Sequence, residues 1–83
     1  MTYEEAGPHV ACVCTPGGLL TVAALGPNGA QLSATTANGA IGAVAMLGLA
    51  IRAAKDAPSA SRVRISDGGA RTVTLDAEDL RRF

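Results

Sequence analysis

His9, Cys12 and Cys14 bring the three soft metal-ligating side chains of this chain within six residues, as an H-x-x-C-x-C cluster. Such ligands suit zinc or copper, but a structural zinc site takes four of them with paired spacing. The chain holds no other His or Cys. If the stretch is a strand, alternation also sends His9 to the face opposite Cys12 and Cys14. The same geometry disfavours a Cys–His nucleophile, which needs the imidazole within hydrogen-bond reach of the thiol. A disulfide between positions two apart would be strained. The spacing therefore predicts reduced structural thiols, with neither metal nor cofactor implied. General acid–base work needs acids converging on one place. Here they lie at Glu4 and Glu5, at Asp56, at Asp67, and at Asp76, Glu78 and Asp79, with no pair expected at the ends of adjacent strands. Thr15-Pro16-Gly17-Gly18 lacks the lysine and following helix of a phosphate-binding loop. No complete catalytic constellation is visible, and the chain reads as a non-enzyme.

The elements that position these residues follow from period and punctuation. Residues 1 to 8 read as a flexible lead-in to a single domain spanning 1 to 83. HVACVC (9–14) is β-compatible and stops at the Thr15–Gly18 turn. LLTVAAL (19–25) is a second strand, closed by Gly26-Pro27-Asn28-Gly29, where Asn-Gly suits a turn with positive φ. Residues 30–35 pair back as a third strand. Arg62 to Ser66 alternates, Arg62 and Arg64 on one face and Val63 and Ile65 on the other. Asp67-Gly68-Gly69 turns the chain into a returning strand, 71–75. Asp76 caps a short terminal helix with acids early and Arg81 and Arg82 late, as the helix dipole prefers.

Between the strand groups lies a helix expected from about Asn38 to Ala57. Thr36 or Asn38 can cap it, Arg52 and Lys55 favour its C-terminal end, and Pro58 stops it. Ile41, Val44, Leu47 and Ile51 have helical spacing and are expected to face the sheet. Gly39, Gly42, Ala45 and Gly48 recur every three residues as a small-residue ridge. An interior glycine costs about 1 kcal/mol relative to alanine, so Gly42 and Gly48 call for a compensating close approach. That approach is either to the protein's own sheet or to a second helix across a dimer seam. The predicted architecture is α+β: a small, mostly antiparallel sheet of four or five strands in β-β-β-α-β-β order, packed on one long helix, with a short C-terminal helical turn.

Three short stretches within 9 to 68 resemble a shortened, degenerate ribonuclease H-like domain. That family's first strand ends in a Thr-Asp-Gly type turn, where this chain reads Thr15-Pro16-Gly17-Gly18. Its helix opens with Thr-Asn-Asn and a Glu one turn in, where this chain reads Thr36-Ala37-Asn38-Gly39-Ala40-Ile41. Its fourth strand ends in Asp-Ser, where this chain has Ile65-Ser66-Asp67-Gly68. The family holds two Mg²⁺ ions with a carboxylate from each place. Pro16 and Ile41 replace two of them, so the resemblance implies lost hydrolysis, because a two-metal mechanism cannot run on Asp67 alone. It also implies a catalytically inactive nucleic-acid-binding domain, with Arg62, Arg64 and Arg71 on phosphates. The expected strand after Asp67 departs from the family, which continues there into a helix.

Composition points elsewhere. Seven basic residues balance seven acidic ones, so no net field draws the chain to nucleic acid or anionic membrane. Residues 6 to 51 contain no Asp, Glu, Lys or Arg, although soluble surfaces ordinarily mix both signs. Ten glycines, seventeen alanines and only Tyr3 and Phe83 as aromatics make a modest core for so short a chain. A neutral surface meeting a partner accounts for both features. The leading expectation is a protein-interaction or self-assembly module, as a homo-oligomer or on a larger protein. The acidic start carries no apolar leader, and the apolar run 40–51 is shorter than the about 20 residues of a membrane span. A cytoplasmic protein is expected.

Overall fold

Alternating apolar residues and well-placed turns build the sheet seen in a computed structural model, which describes Pro8, Val10, residues 18–67 and residues 71–82. β1 (Leu19–Leu25) and β2 (Gln31–Asn38) form a hairpin. A 3-10 turn (Gly39–Ile41) leads into α1 (Ala43–Asp56). β3 (Arg62–Ser66) and β4 (Thr72–Asp76) form a second hairpin, followed by α2 (Ala77–Arg81). The sheet is antiparallel throughout, in the order β2-β1-β3-β4. This is the expected α+β class. Among the described residues no helix is long and apolar enough to cross a membrane.

The β1–β2 turn follows its chemistry. Gly29 takes φ of +83°, the Asn28 side-chain oxygen accepts from the Ala30 N–H, and Gly26 donates to Ala30. The returning strand runs past the expected residue 35 to Asn38, because Thr35 and Thr36 continue the β-branched pairing opposite Val22 and Thr21. Leu32 is the extra residue where the register slips between Ala24–Ser33 and Leu25–Gln31.

The core lies between one sheet face and the helices. β1 supplies Leu20, Val22 and Ala24, β3 supplies Val63 and Ile65, and β4 supplies Leu75. Met46, Leu47, Ala50 and Ala54 of α1 meet them, with Ala77 and Leu80 of α2. The expected helix face needs correction here. Leu47 is buried and Ile51 half-buried, but Ile41 and Val44 are exposed. Ile41 belongs to the separate 3-10 turn, and Met46, Leu47, Ala50 and Ala54 hold the buried positions of α1. The 3-10 turn and the cap at Gly42 set the phase of α1, so helical spacing counted from Ile41 does not mark the buried stripe.

Two further corrections concern ends of elements. Val10 is helical and fully buried in the core, so the strand expected at 9–14 is not borne out at that residue. The rest of that segment, with His9, Cys12, Cys14 and Pro16, lies outside the described residues, as does the lead-in apart from Pro8. Asn38 does cap, accepting from the Ala40 N–H at 2.8 Å, but it caps the 3-10 turn. Gly42 is the N-cap of α1 rather than an interior residue, with φ of +89°.

Arg81 serves a helix other than its own. Its Nε donates to Ala54 O at 3.0 Å. Its Nη2 donates to the carbonyls of Ala57 (2.9 Å), Pro58 (3.0 Å) and Ala60 (2.7 Å). The last carbonyls of a helix have no partner within it, and here the guanidinium fork supplies them at the end of α1.

Candidate interaction surface

β2 is the long edge of the sheet, and nothing in its sequence blunts it. Protected edges carry charges or proline, or are short or covered. QLSATTAN has neither charge nor proline, runs for eight residues and is exposed at every position except half-buried Ala37. Among the described residues α1 packs mainly over β1 and β3 rather than over β2. The opposite edge is managed differently: β4 has five residues, is bounded by Arg71 and Asp76, and runs directly into α2.

Backbone alternation fixes which groups of β2 face outward. Gly39 donates to Gly18 O at 2.8 Å, continuing the ladder in which Leu20–Ala37 and Val22–Thr35 are opposed. Antiparallel pairs alternate between bonded and non-bonded. Ala37, Thr35 and Ser33 therefore spend their N–H and C=O on β1, while those of Ala34, Thr36 and Asn38 point away from the sheet.

Among the described residues the exposed large apolar side chains gather around this strand. They are Leu32 on β2, Leu19 opposite its last residue, and Ile41 and Val44 just after it. Between β2 and α1 runs a cleft of about 350 Å³ lined by Thr35, Leu49, Arg52, Ala53 and Asp56. Arg52 Nε lies 3.6 Å from Asp56 Oδ2, both side chains largely in solvent.

The four ridge residues do not form one ridge. Gly39 is buried in the 3-10 turn, Gly42 is half-buried at the helix start, and Ala45 and Gly48 are exposed. Close packing of the ridge onto the protein's own sheet is not what the fold uses, since a Cβ added at Gly42 or Gly48 meets nothing within 4 Å. The two glycines nevertheless differ. Gly48→Ala is expected to stabilise by about 0.5–1 kcal/mol through helix propensity and a stiffer unfolded chain. Gly42→Ala is expected to cost about 1–3 kcal/mol, because φ of +89° strains any side-chain-bearing residue. Chemical denaturation of both variants checks this opposition of sign.

The three arginines singled out by charge are also divided. Arg62 and Arg64 share the open sheet face beside a shallow cleft of about 520 Å³ that includes Ser61, Thr74 and Asp76. Neither forms an ion pair among the described residues. Asp76 stands opposite Arg62 in the register, but its Oδ1 is occupied by the N–H groups of Glu78 (2.8 Å) and Asp79 (3.3 Å). Arg71 sits at the far end of the hairpin, where its carbonyl accepts from the Asp67 N–H. Asp67 thus closes the mouth of the β3–β4 hairpin. Among the described residues no cluster of three His, Cys, Asp or Glu side chains is placed to hold a metal ion.

No family model, curated protein or solved structure matches this chain. That β2 is the edge strand was not legible from residue types alone. Its signal was the missing charge, and its place at the rim of the sheet came from topology.

Proposed function

We propose that the protein is a non-enzymatic interaction module that acts by self-assembly. One observation carries the reading: an eight-residue sheet edge with no charge and no proline is exposed at all but one position, within a stretch free of Asp, Glu, Lys and Arg. Unpaired edge backbone is a template for another strand, and strand addition is an established mode of recognition. The neutral helix start, with Val44, Ala45 and Gly48 in solvent, extends the same surface. The nucleic-acid-binding alternative has less support, because only Arg62 and Arg64 share a face and stacking aromatics are missing from it.

Light scattering coupled to size exclusion across a concentration series tests the proposal. A solution mass of two or more chains is the expected result. A single-chain mass persisting at high concentration would remove self-assembly as the function.

A further inference from the structure

We propose that the sheet face turned away from the helices carries a site for a small phosphate monoester, with Arg62 and Arg64 as its anion-binding side chains. The site lies apart from the β2 edge and does not depend on self-assembly.

Arg62 and Arg64 are two apart on β3, so they leave the sheet on one face, their Cα atoms roughly 7 Å from each other. Neither guanidinium has an ion-pair or hydrogen-bond partner among the described residues. Other arginines are matched. Arg52 pairs with Asp56, Arg82 with Glu78 and Asp79, and Arg81 with four carbonyls. Arg64 is moreover half-buried, where a charge is less well screened than in open water. Two unmatched cations side by side repel, and an anion held between them reverses the sign of that interaction. Each planar fork can grip two oxygens of one phosphate.

The surroundings narrow the ligand. The cleft of about 520 Å³ beside the two arginines falls within the about 300–1,000 Å³ usual for small-molecule sites. Thr74 stands opposite Arg64 in the β3–β4 register, which puts its hydroxyl on the same face as a further donor. Asp76 is the single acid of the lining and stands opposite Arg62. Its Oδ1 already accepts from the N–H groups of Glu78 and Asp79. Two cations against one carboxylate leave the cleft positive and favour the Arg64–Thr74 end for the phosphate. Leu25 and Pro27 offer an apolar wall to the organic group of an ester. A monoester carries about two negative charges near neutral pH, matching the two forks. A nucleic-acid strand asks for a longer row of cations and for stacking aromatics, and the lining includes no aromatic residue.

Calorimetric titration of the full chain with phenyl phosphate and with inorganic phosphate, at low salt, tests the site. Both are expected to bind saturably, phenyl phosphate more tightly, with affinity falling as salt rises. Amide shifts in the unsubstituted chain are expected to centre on Arg62, Arg64 and Thr74. Arg64→Gln should weaken phenyl phosphate at least about tenfold, the loss of one charge-assisted contact, and Arg64→Lys should recover only part. Asp76→Asn keeps an oxygen for the helix cap while removing the negative charge, and should tighten binding about threefold or more. Arg52→Gln, on α1, should leave binding unchanged. Absence of saturation by about 10 mM phenyl phosphate would overturn the site, as would amide shifts centred elsewhere or an equal loss in Arg52→Gln. Tighter binding of a single-stranded oligonucleotide at the same phosphate concentration would also overturn it, in favour of the polymer.

Discussion

Replacing Arg81 with methionine is expected to lower the unfolding free energy by about 3 kcal/mol, whereas Arg82→Ala next to it should cost less than about 0.5 kcal/mol. The contrast follows from what each guanidinium touches. Arg81 meets four carbonyl oxygens, of Ala54, Ala57, Pro58 and Ala60. Hydrogen bonds to a charged group contribute about 1.5–3 kcal/mol each when isolated. These are not independent, because the two hydrogens of Nη2 are shared among three oxygens, so the sum is smaller than four separate bonds. Methionine keeps the apolar stem packed, which isolates the loss of the fork. Arg82 pairs with exposed Glu78 at 3.4 Å and with half-buried Asp79 at 3.7 Å, its own guanidinium largely in solvent, and surface pairs of this kind contribute about 0–1 kcal/mol. Lysine at 81 should recover only part of the loss, because one ammonium cannot reproduce the planar fork. Urea unfolding of the three variants measures this. In a domain of this size about 3 kcal/mol lowers Tm by roughly 12–24 °C. Equal effects at 81 and 82 would mean that the cap on α1 is not what Arg81 supplies.

The second large effect is expected at Leu80, whose side chain is 1% exposed. Leu80→Ala should cost about 3 kcal/mol, within the range for a buried leucine whose cavity only partly collapses. Its interest lies in what it holds. α2 has five residues, far too few for a helix to persist alone. It is kept by the Asp76 cap, by burial of Ala77 and Leu80, and by the Arg81 bonds to the end of α1. Loosening one anchor should loosen the next. The double variant Leu80→Ala with Arg81→Met is therefore expected to fall short of the sum of the singles by about 1 kcal/mol or more. Strict additivity would show that the two anchors act separately.

Much of the fold was legible in the sequence because its signals are local. Leu19 to Leu25 and Arg62 to Ser66 are strands at their expected bounds, set by apolar alternation and by flanking turns. Asp76 caps α2 as its position before Ala77-Glu78-Asp79 indicates. Asn28-Gly29 forms its turn with positive φ at Gly29. Each of these depends on residues within a few positions of one another.

The candidate surface was legible only in outline. The absence of charge from residue 6 to 51 announced a neutral surface, but helical spacing at Gly39, Gly42, Ala45 and Gly48 pointed to a ridge that the fold does not assemble. Gly42 breaks it, because its positive φ ends the 3-10 turn and starts α1 in a new phase.

The sequence by itself determined the order of strands and helices from β1 to α2, the turn at Gly26–Gly29 and the lack of charge from residue 6 to 51, since propensity, period and charge are written residue by residue. Tertiary structure alone decided three things. It put β2 at the rim of the sheet, because the crossover through α1 delivers β3 to the other side of β1. It turned Met46, Leu47, Ala50 and Ala54 of α1 inward and left Val44 in solvent, because the 3-10 turn that ends at Gly42 sets the phase in which α1 meets the sheet. It sent Arg81 across to a helix end 27 residues earlier in the chain, since an unmet carbonyl is satisfied by whichever donor the fold brings near it, and no local pattern records which one that will be.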